Sequence, residues 1–243
     1  MNRFKVCVAA MVMASAAVSG LFAQSGGSGG EMSVEESYLQ ESVEVMIIRE
    51  QSRSDDRDGK LVALAYIQEA IDHGNTGEEI RVALEYMGLE GILNQTRENG
   101  RLMNNYPDIR RQAAAYLGKL GTVEAKNTLV KMLLIDNEPM VLTEIIRSLS
   151  SLLNAGITGG MDETISAVAW IVRRYDTTTP DNLLALAALD LFDTCGRINN
   201  GFRDPEAIQS IRRIAAGRYI RPVQDRAKNL ITVLVRYGQN SNR

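Results

Sequence analysis

The chain carries few side chains of the types that catalysis requires. His73 is its only histidine, and a Ser-His-Asp triad needs a histidine held beside a serine. His73 precedes Gly74 at the expected end of a helix, where a cationic side chain interacts favourably with the helix dipole. We therefore expect this histidine to stabilise a helix end and not to act as a general base.

Cysteine chemistry and metal binding are equally poorly supported. Cys195 lies near the expected C-terminal end of a helix, which disfavours a thiolate, so we expect a buried and unreactive thiol. Outside the first 23 residues, one histidine and one cysteine do not supply the three or four ligands of a zinc site. The sequence predicts no catalytic, metal-binding or cofactor-binding residues and no bound cofactor.

The clearest signal for a secondary-structure element lies in residues 107–121, PDIRRQAAAYLGKLG. Pro107 suits the first position of a helix, where its missing N–H is not needed, and Gly121 is a typical C-terminal stop. Apolar residues recur with the 3.6-residue period of an amphipathic helix, at Ile109, Ala113, Ala114, Leu117 and Leu120. The stretch is predicted to form one helix.

Weaker copies of this helix follow downstream. The same offsets from Pro139 give Val141, Ile145, Ile146, Leu149 and Leu152. The pattern returns one place later after Pro180 and one place earlier after Pro222. Each of these four prolines is expected to open an equivalent helix, and from Pro107 onwards they are separated by 32, 41 and 42 residues. A period of about 20–50 residues indicates a stack of structural repeats.

The repeated stretch is similar to a known family. Residues 108–121 resemble the second helix of a bacterial HEAT repeat, in which an acidic residue, an aliphatic residue and an arginine precede alanines and a Leu-Gly pair. Residues 123–153 resemble a complete unit of two helices joined by a short turn. The resemblance implies an all-α, right-handed superhelix of about ten helices, whose second helices line a concave surface.

The chain is predicted to contain one stack without a domain boundary. Residues 33–58 are expected to form an N-terminal capping helix and loop, residues 59–238 the HEAT-like repeats, and residues 239–243 a polar tail. The capping helix is expected to dock on the first repeat through Leu39, Val43, Met46 and Ile47. Residues 94–106 interrupt the repeat pattern, either as a binding loop or as an ordinary connection.

The N-terminus has the pattern of a secretory signal peptide. A basic head precedes an apolar run in residues 1–23, and cleavage after Ala23 would leave a flexible linker at 24–32. The alternative is a retained membrane anchor, although the run is shorter than the roughly 20 residues of a comfortable span. The protein is thus expected to be exported, to the periplasm or beyond the cell.

The charge and hydropathy of the remaining chain exclude two classes of partner. Loss of Arg3 and Lys5 with the signal leaves 25 basic and 30 acidic residues, a net charge of −5. Binding to nucleic acid depends on neutralising phosphates and is not expected of such a chain. No second long apolar run follows, so we expect no stable membrane insertion after signal cleavage.

Residues 183–192 are apolar on both sides of their expected helix. One stripe matches the repeat core and contains Leu183, Ala187, Ala188 and Leu191. The opposite side carries Ala185, Leu186, Leu189 and Phe192. The HEAT resemblance places this second stripe toward the concave groove, where an exposed apolar patch would bind a partner. The alternative is that neighbouring helices cover it as core.

Arginines are the other candidates for recognition. The doublets Arg110-Arg111, Arg173-Arg174 and Arg212-Arg213 lie in an acidic chain, but they fall in both first and second helices. They are not expected to share a face, and solvated positions or ion pairs between repeats are predicted for them. Arg111 and Arg147, both in second helices, join the second apolar stripe as candidate protein-binding residues.

The leading functional hypothesis is a non-catalytic scaffold or adaptor that binds a protein of unknown identity in the bacterial cell envelope. A curved repeat stack presents the extended surface that such recognition uses. Two alternatives remain open at this point. One is an accessory subunit or enzyme acting on the cell wall or on exported proteins, and the other is a structural homo-oligomer that stacks end to end.

Overall fold

A computed structural model describes residues 34–202 and 204–240, and within these ranges the chain is all-α, as predicted. Its ten helices are α1 (Val34–Ser52), α2 (Arg57–Asp72), α3 (Glu78–Leu89), α4 (Pro107–Leu120), α5 (Val123–Ile135), α6 (Pro139–Asn154), α7 (Met161–Thr178), α8 (Asn182–Ile198), α9 (Pro205–Ala216) and α10 (Arg221–Asn240). The signal peptide and the linker predicted for residues 1–32 lie outside the described residues. None of the helices described is long and apolar enough to span a bilayer.

Helix packing follows the order of the chain. Each odd-numbered helix packs against the even-numbered helix after it, which gives five successive pairs. Neighbouring pairs contact each other through two rows of helices. The even-numbered row contains α2, α4, α6, α8 and α10, and the odd-numbered row contains the other five. One apolar core runs between the rows from Ile48 to Leu230.

Helix α4 forms where the sequence predicts it, and the residues at its two ends explain why it begins and stops there. Pro107 occupies the first helical position, and Gly121 follows the last residue with a φ of 69°, a left-handed conformation that glycine adopts without strain. The five predicted core residues are at most 5% exposed: Ile109, Ala113, Ala114, Leu117 and Leu120. The equivalent five residues of α6 are also fully buried.

The predicted start of α8 is wrong by two residues. Asp181 is the N-cap, and its Oδ1 accepts a hydrogen bond from the Leu184 N–H at 2.8 Å, so Pro180 lies outside the helix. The core face keeps three of its four predicted residues, because Ala187, Ala188 and Leu191 are buried. Leu184 enters the core, whereas Leu183, predicted to be core, is 60% exposed.

Two of the four residues predicted to dock helix α1, Val43 and Met46, lie opposite the face that packs. Ile47 is half-buried, and Leu39 lies outside the residues whose side chains are described. Ile48 and Ser52, four residues apart, are buried against the first pairs, whereas Val43 and Met46 are more than half exposed. A helix of 3.6 residues per turn places these two sets on opposite sides. At the other end, α10 continues to Asn240, so the predicted polar tail begins inside the last helix.

Residues 94–106 contain a short hairpin that the sequence analysis did not predict. Strands β1 (Arg97–Glu98) and β2 (Arg101–Leu102) pair antiparallel across Asn99 and Gly100. Both turn residues have positive φ, at 49° and 81°. An Asn-Gly pair is the preferred sequence for such a two-residue turn, so this dipeptide could have predicted the hairpin.

Close contact between α4 and α6 depends on Gly118. A Cβ added at Gly118 would lie 2.6 Å from Cβ and 3.0 Å from Cα of Ser148, so the two helices would have to move apart. We expect Gly118→Ala to lower the free energy of unfolding by about 1–3 kcal/mol, less the roughly 1 kcal/mol that alanine gains in helix propensity. Urea denaturation of the variant measures the difference.

Gly88 provides a matched control in α3. A Cβ at this position would meet only the flexible end of the Met132 side chain, with the sulfur at 2.7 Å. Because that side chain can rotate away, Gly88→Ala should leave stability nearly unchanged. Equal losses for the two variants would contradict the role assigned to the α4–α6 contact.

Candidate functional site

The structure brings two of the predicted site residues, Arg111 and Arg147, to the same surface. Both line one open depression on the even-numbered row, between α4, α6 and the start of α8. Arg147 also lines a second depression farther along α6. Together they form a surface that we call the α6 groove. Its lining residues are Arg111, Glu138, Pro139, Met140, Thr143, Glu144, Asp181 and Leu183 in the first depression, Ser150, Ser151, Asn154, Ala187 and Asp190 in the second, and Arg147 in both.

The α6 groove follows one helix from end to end. Its lining begins at Pro139 and ends at Asn154, the first and last residues of α6. At 1.5 Å per residue these 16 residues give the groove a length of about 24 Å. That length matches an extended segment of about seven residues. The groove is open to solvent along this length.

The side chains of the two arginines of the groove are exposed and make no hydrogen bond or ion pair with any residue that the structure describes. Other arginines, two of them exposed and one half-buried, bridge neighbouring helix pairs. Arg57 lies 2.6 Å from Asp108, Arg173 lies 3.2 Å from Glu206, and Arg226 contacts two aspartates of α8. Arg111 and Arg147 therefore keep their hydrogen-bond donors available to a ligand.

The carboxylates near the groove differ in availability. Asp181 is engaged as the N-cap of α8, and Asp190 accepts two hydrogen bonds from Arg226, at 3.2 and 3.0 Å. Glu138 and Glu144 both line the first depression. The first depression thus combines two arginines with three carboxylates. In the second depression, Arg147 is the one charged lining residue that has no charged partner among the residues described.

Apolar surface is exposed at one end of the groove only. Met140, at the start of α6, is 46% exposed, and Leu183, at the start of α8, is 60% exposed. Both side chains line the first depression. The second depression is lined mainly by small and polar side chains, including Ser151 and Asn154. The groove therefore has an apolar end and a polar end, with Arg147 between them.

The apolar stripe proposed as a binding site is core. Ala185, Leu189 and Phe192 are at most 2% exposed, and Leu186 is half-buried. The Phe192 ring packs against Phe202, with centroids 5.9 Å apart. Helix α8 also packs on α6, α7 and α10, which cover it on several sides. These three side chains cannot contact a partner in the folded chain, which is the alternative that the sequence left open.

Four buried charged residues form a second polar feature, which we call the buried charge chain. Lys60 Nζ lies 2.7 Å from Glu90 Oε2, and Arg110 Nε donates to Asp136 Oδ2 at 2.7 Å. The two pairs are joined because Arg110 also donates to the backbone oxygen of Glu90 at 3.4 Å. All four side chains are at most 5% exposed. Their charges cancel, and this arrangement ties α2, α4 and the turn before α6 together.

Further polar contacts complete the buried charge chain. Asn104 donates to Glu90 Oε1 at 3.3 Å and to the backbone oxygen of Asn94 at 2.7 Å, which fixes the hairpin loop. Lys60 Nζ donates to the backbone oxygens of Ser52 and Ser54. Glu90 Oε2 accepts no hydrogen bond from the residues described, and the Lys60 ammonium, 2.7 Å away, is its ion-pair partner. One signal for this feature was in the sequence, because Lys60 falls on the apolar face of α2 with Leu64 and Ile67.

The arginine doublets do not form one basic stripe. Arg110 is buried in the charge chain, and Arg173 forms an ion pair with Glu206 on α9. The guanidinium of Arg174 lies 5.6 Å from the Trp170 ring centroid and donates to Asn137 Oδ1 at 2.5 Å. Two of these arginines, Arg110 and Arg173, therefore form ion pairs as predicted, and the pair of Arg110 is buried.

Cys195 and His73 are the two residues that the sequence raised as candidates for catalysis. Cys195 is fully buried, and burial raises the pKa of its thiol to about 12, so it is not a nucleophile near neutral pH. His73 is exposed and is the C-cap residue of α2. Within the described ranges, no group of three or more His, Cys, Asp or Glu side chains is placed to hold a metal ion.

Comparison of the chain with family models, with curated proteins and with solved structures gave no match.

Proposed function

We propose that the chain is a non-catalytic scaffold that binds another protein in the α6 groove. The observation that carries this proposal is the composition of the groove. It presents two arginines that have no ion-pair partner among the described residues, beside two exposed apolar side chains, on a surface about 24 Å long. Arginine and large apolar side chains are the groups that contribute most to binding at protein interfaces.

The arrangement of the helices supports the same proposal. Five successive helix pairs packed in two rows are what a HEAT-like, right-handed superhelix requires. In such a superhelix, the even-numbered row would line the concave surface, and the α6 groove lies on that row. A repeat stack holds its surface residues on rigid helices, so the groove is formed before the partner arrives.

We further propose that the protein acts in a bacterial cell envelope, in the periplasm or outside the cell. The signal-like pattern of residues 1–23 supports export, and a net charge of −5 after its removal argues against nucleic acid as the partner. The partner would then be an envelope protein or a secreted protein.

Site-specific photo-crosslinking in the cells that make the protein tests the proposal. A photoreactive phenylalanine analogue replaces Met140 in the groove, and the same analogue replaces Val235 on the last helix as a control, since both positions are about half exposed. We expect one specific cross-linked product from position 140 and none from position 235. The mass of the product shows whether the cross-linked partner is another protein or a second copy of this chain.

Three outcomes are decisive for the function. A product whose added mass belongs to another protein supports the scaffold. A product of twice the chain mass supports the homo-oligomer instead and overturns the proposal. Equal labelling of many proteins from both positions would show that the groove has no specific occupant, and would also overturn it.

A further inference from the structure

We infer that Arg147 binds a side-chain carboxylate of the partner in the second depression, while an apolar side chain of the same segment lies between Met140 and Leu183. This inference rests on the proposed function, because it specifies the chemistry of the segment that occupies the α6 groove. The first depression would bind the apolar side chain of the segment, and the second depression would bind its carboxylate.

Charge places the carboxylate in the second depression. Among the described residues, Asp190 is the only acidic one that lines it, and Arg226 already neutralises that side chain at 3.0 Å. Arg147 has no such partner among the described residues. A carboxylate entering here therefore meets one uncompensated cation. The planar guanidinium offers two parallel N–H groups, which fit a carboxylate in a bidentate pair.

A neighbouring hydroxyl adds to this site. Ser151 follows Arg147 by four residues on α6, so both side chains lie on one face of the helix. The Ser151 side chain makes no hydrogen bond to any described residue, whereas Ser150 is already within 3.3 Å of Thr194 Oγ1. Ser151 is thus free to donate a second hydrogen bond to the bound carboxylate.

The first depression is unsuited to a carboxylate and suited to an apolar side chain. Three carboxylates, those of Glu138, Glu144 and Asp181, outnumber the two arginines that line it, and they would repel a fourth acidic group. Its exposed apolar side chains are Met140 and Leu183, which an aliphatic or aromatic group would cover. The partner must therefore present its apolar group here and its acidic group at the other depression.

The spacing follows from helix geometry. Met140 and Arg147 are seven residues apart on α6, or about 10 Å along its axis. An extended chain covers that distance in about three residues. The segment that fits best has an apolar residue and an Asp or Glu three positions apart.

Selection from a displayed library of random peptides of about nine residues tests this inference, since peptides of that length form no stable helix of their own. The full chain is the immobilised target. We expect enrichment of sequences with Asp or Glu three positions from an apolar residue. The best peptide should bind Arg147→Glu at least about tenfold more weakly than the wild type.

Two controls sharpen the result. Arg212→Glu reverses the charge of an exposed arginine on α9, far from the groove lining, and should leave the peptide affinity unchanged. A peptide whose acidic residue is replaced by Lys should lose affinity for the wild type and regain it for Arg147→Glu. Circular dichroism confirms that each variant is folded.

The outcomes separate this inference from the proposed function. Enriched peptides without an acidic preference, whose binding is nevertheless abolished by Leu183→Glu, would overturn the assignment of Arg147 while leaving the groove as a binding site. Peptides that bind equally to the wild type and to Leu183→Glu, or no enrichment at all, would count against both.

Discussion

Asp136→Asn lowers the free energy of unfolding by about 3–5 kcal/mol, because it leaves the buried guanidinium of Arg110 without a counterion. The change is nearly isosteric. Asp136 Oδ1 accepts the N–H groups of Asn137 and Glu138 at 2.7 and 2.9 Å, and the amide oxygen of asparagine can still do so. The lost group is Oδ2, where an amide NH₂ would face the Arg110 donor. Urea denaturation followed by circular dichroism measures the loss.

A matched substitution on the surface separates burial from charge. Asp190→Asn removes an aspartate from a pair with Arg226 at 3.0 Å, and this side chain is about half exposed. Exposed ion pairs contribute about 0–1 kcal/mol, so this variant should lose less than about 1 kcal/mol. If the two variants lose the same amount, burial of the Arg110–Asp136 pair does not govern its contribution.

A double variant tests the physical reason. Arg110→Met combined with Asp136→Asn removes the charge that the single variant leaves unpaired. We expect the double variant to be more stable than Asp136→Asn alone, since an uncompensated buried charge costs more than the absence of the pair. A double variant that loses the sum of the two single losses would contradict this explanation.

The sequence predicted the fold to the extent that local signals decide it. Pro107, Pro139 and Gly121 determine helix ends by their own backbone chemistry, and the apolar period places the cores of α4 and α6 correctly. Pro180 does not begin a helix, because Asp181 caps α8 and its first residue is Asn182, two positions after the proline. At this end of the helix the core residue is Leu184 and not the predicted Leu183.

Of the candidate site, the sequence predicted the helices that carry Arg111 and Arg147, and the role of these residues in binding stays a prediction. Arg111 and Arg147 lie on equivalent helices, which pack side by side, so they reach one groove. The pairing of Lys60 with Glu90 and of Arg110 with Asp136 joins residues 30 and 26 positions apart, and no local pattern encodes such a contact. The stripe that contains Leu189 failed as a site because an apolar helix inside a stack is covered by its neighbours.

Two substitutions on α8 therefore have very different expected effects on stability, although both replace leucine by glutamate. Leu189 is fully buried, so Leu189→Glu loses the roughly 2–5 kcal/mol of a deleted core side chain and also buries an acidic group without a partner. Since domains are stable by only about 5–15 kcal/mol, we expect this variant to be unfolded or close to it. Leu183 is 60% exposed, and Leu183→Glu should change stability by no more than about 0.5 kcal/mol.

The pair of variants decides between core and binding surface along one helix. Circular dichroism and urea denaturation give the stability of each, and the photo-crosslinking yield at position 140 gives the occupancy of the groove. Leu183→Glu should remain folded and lose the cross-linked partner, because it places a charge at the apolar end of the groove. Leu189→Ala, which should lose about 2–5 kcal/mol yet stay folded, provides a measurable value if Leu189→Glu unfolds. A Leu189→Glu variant as stable as the wild type would show that this side chain is not core, and the register of α8 would have to be reassigned.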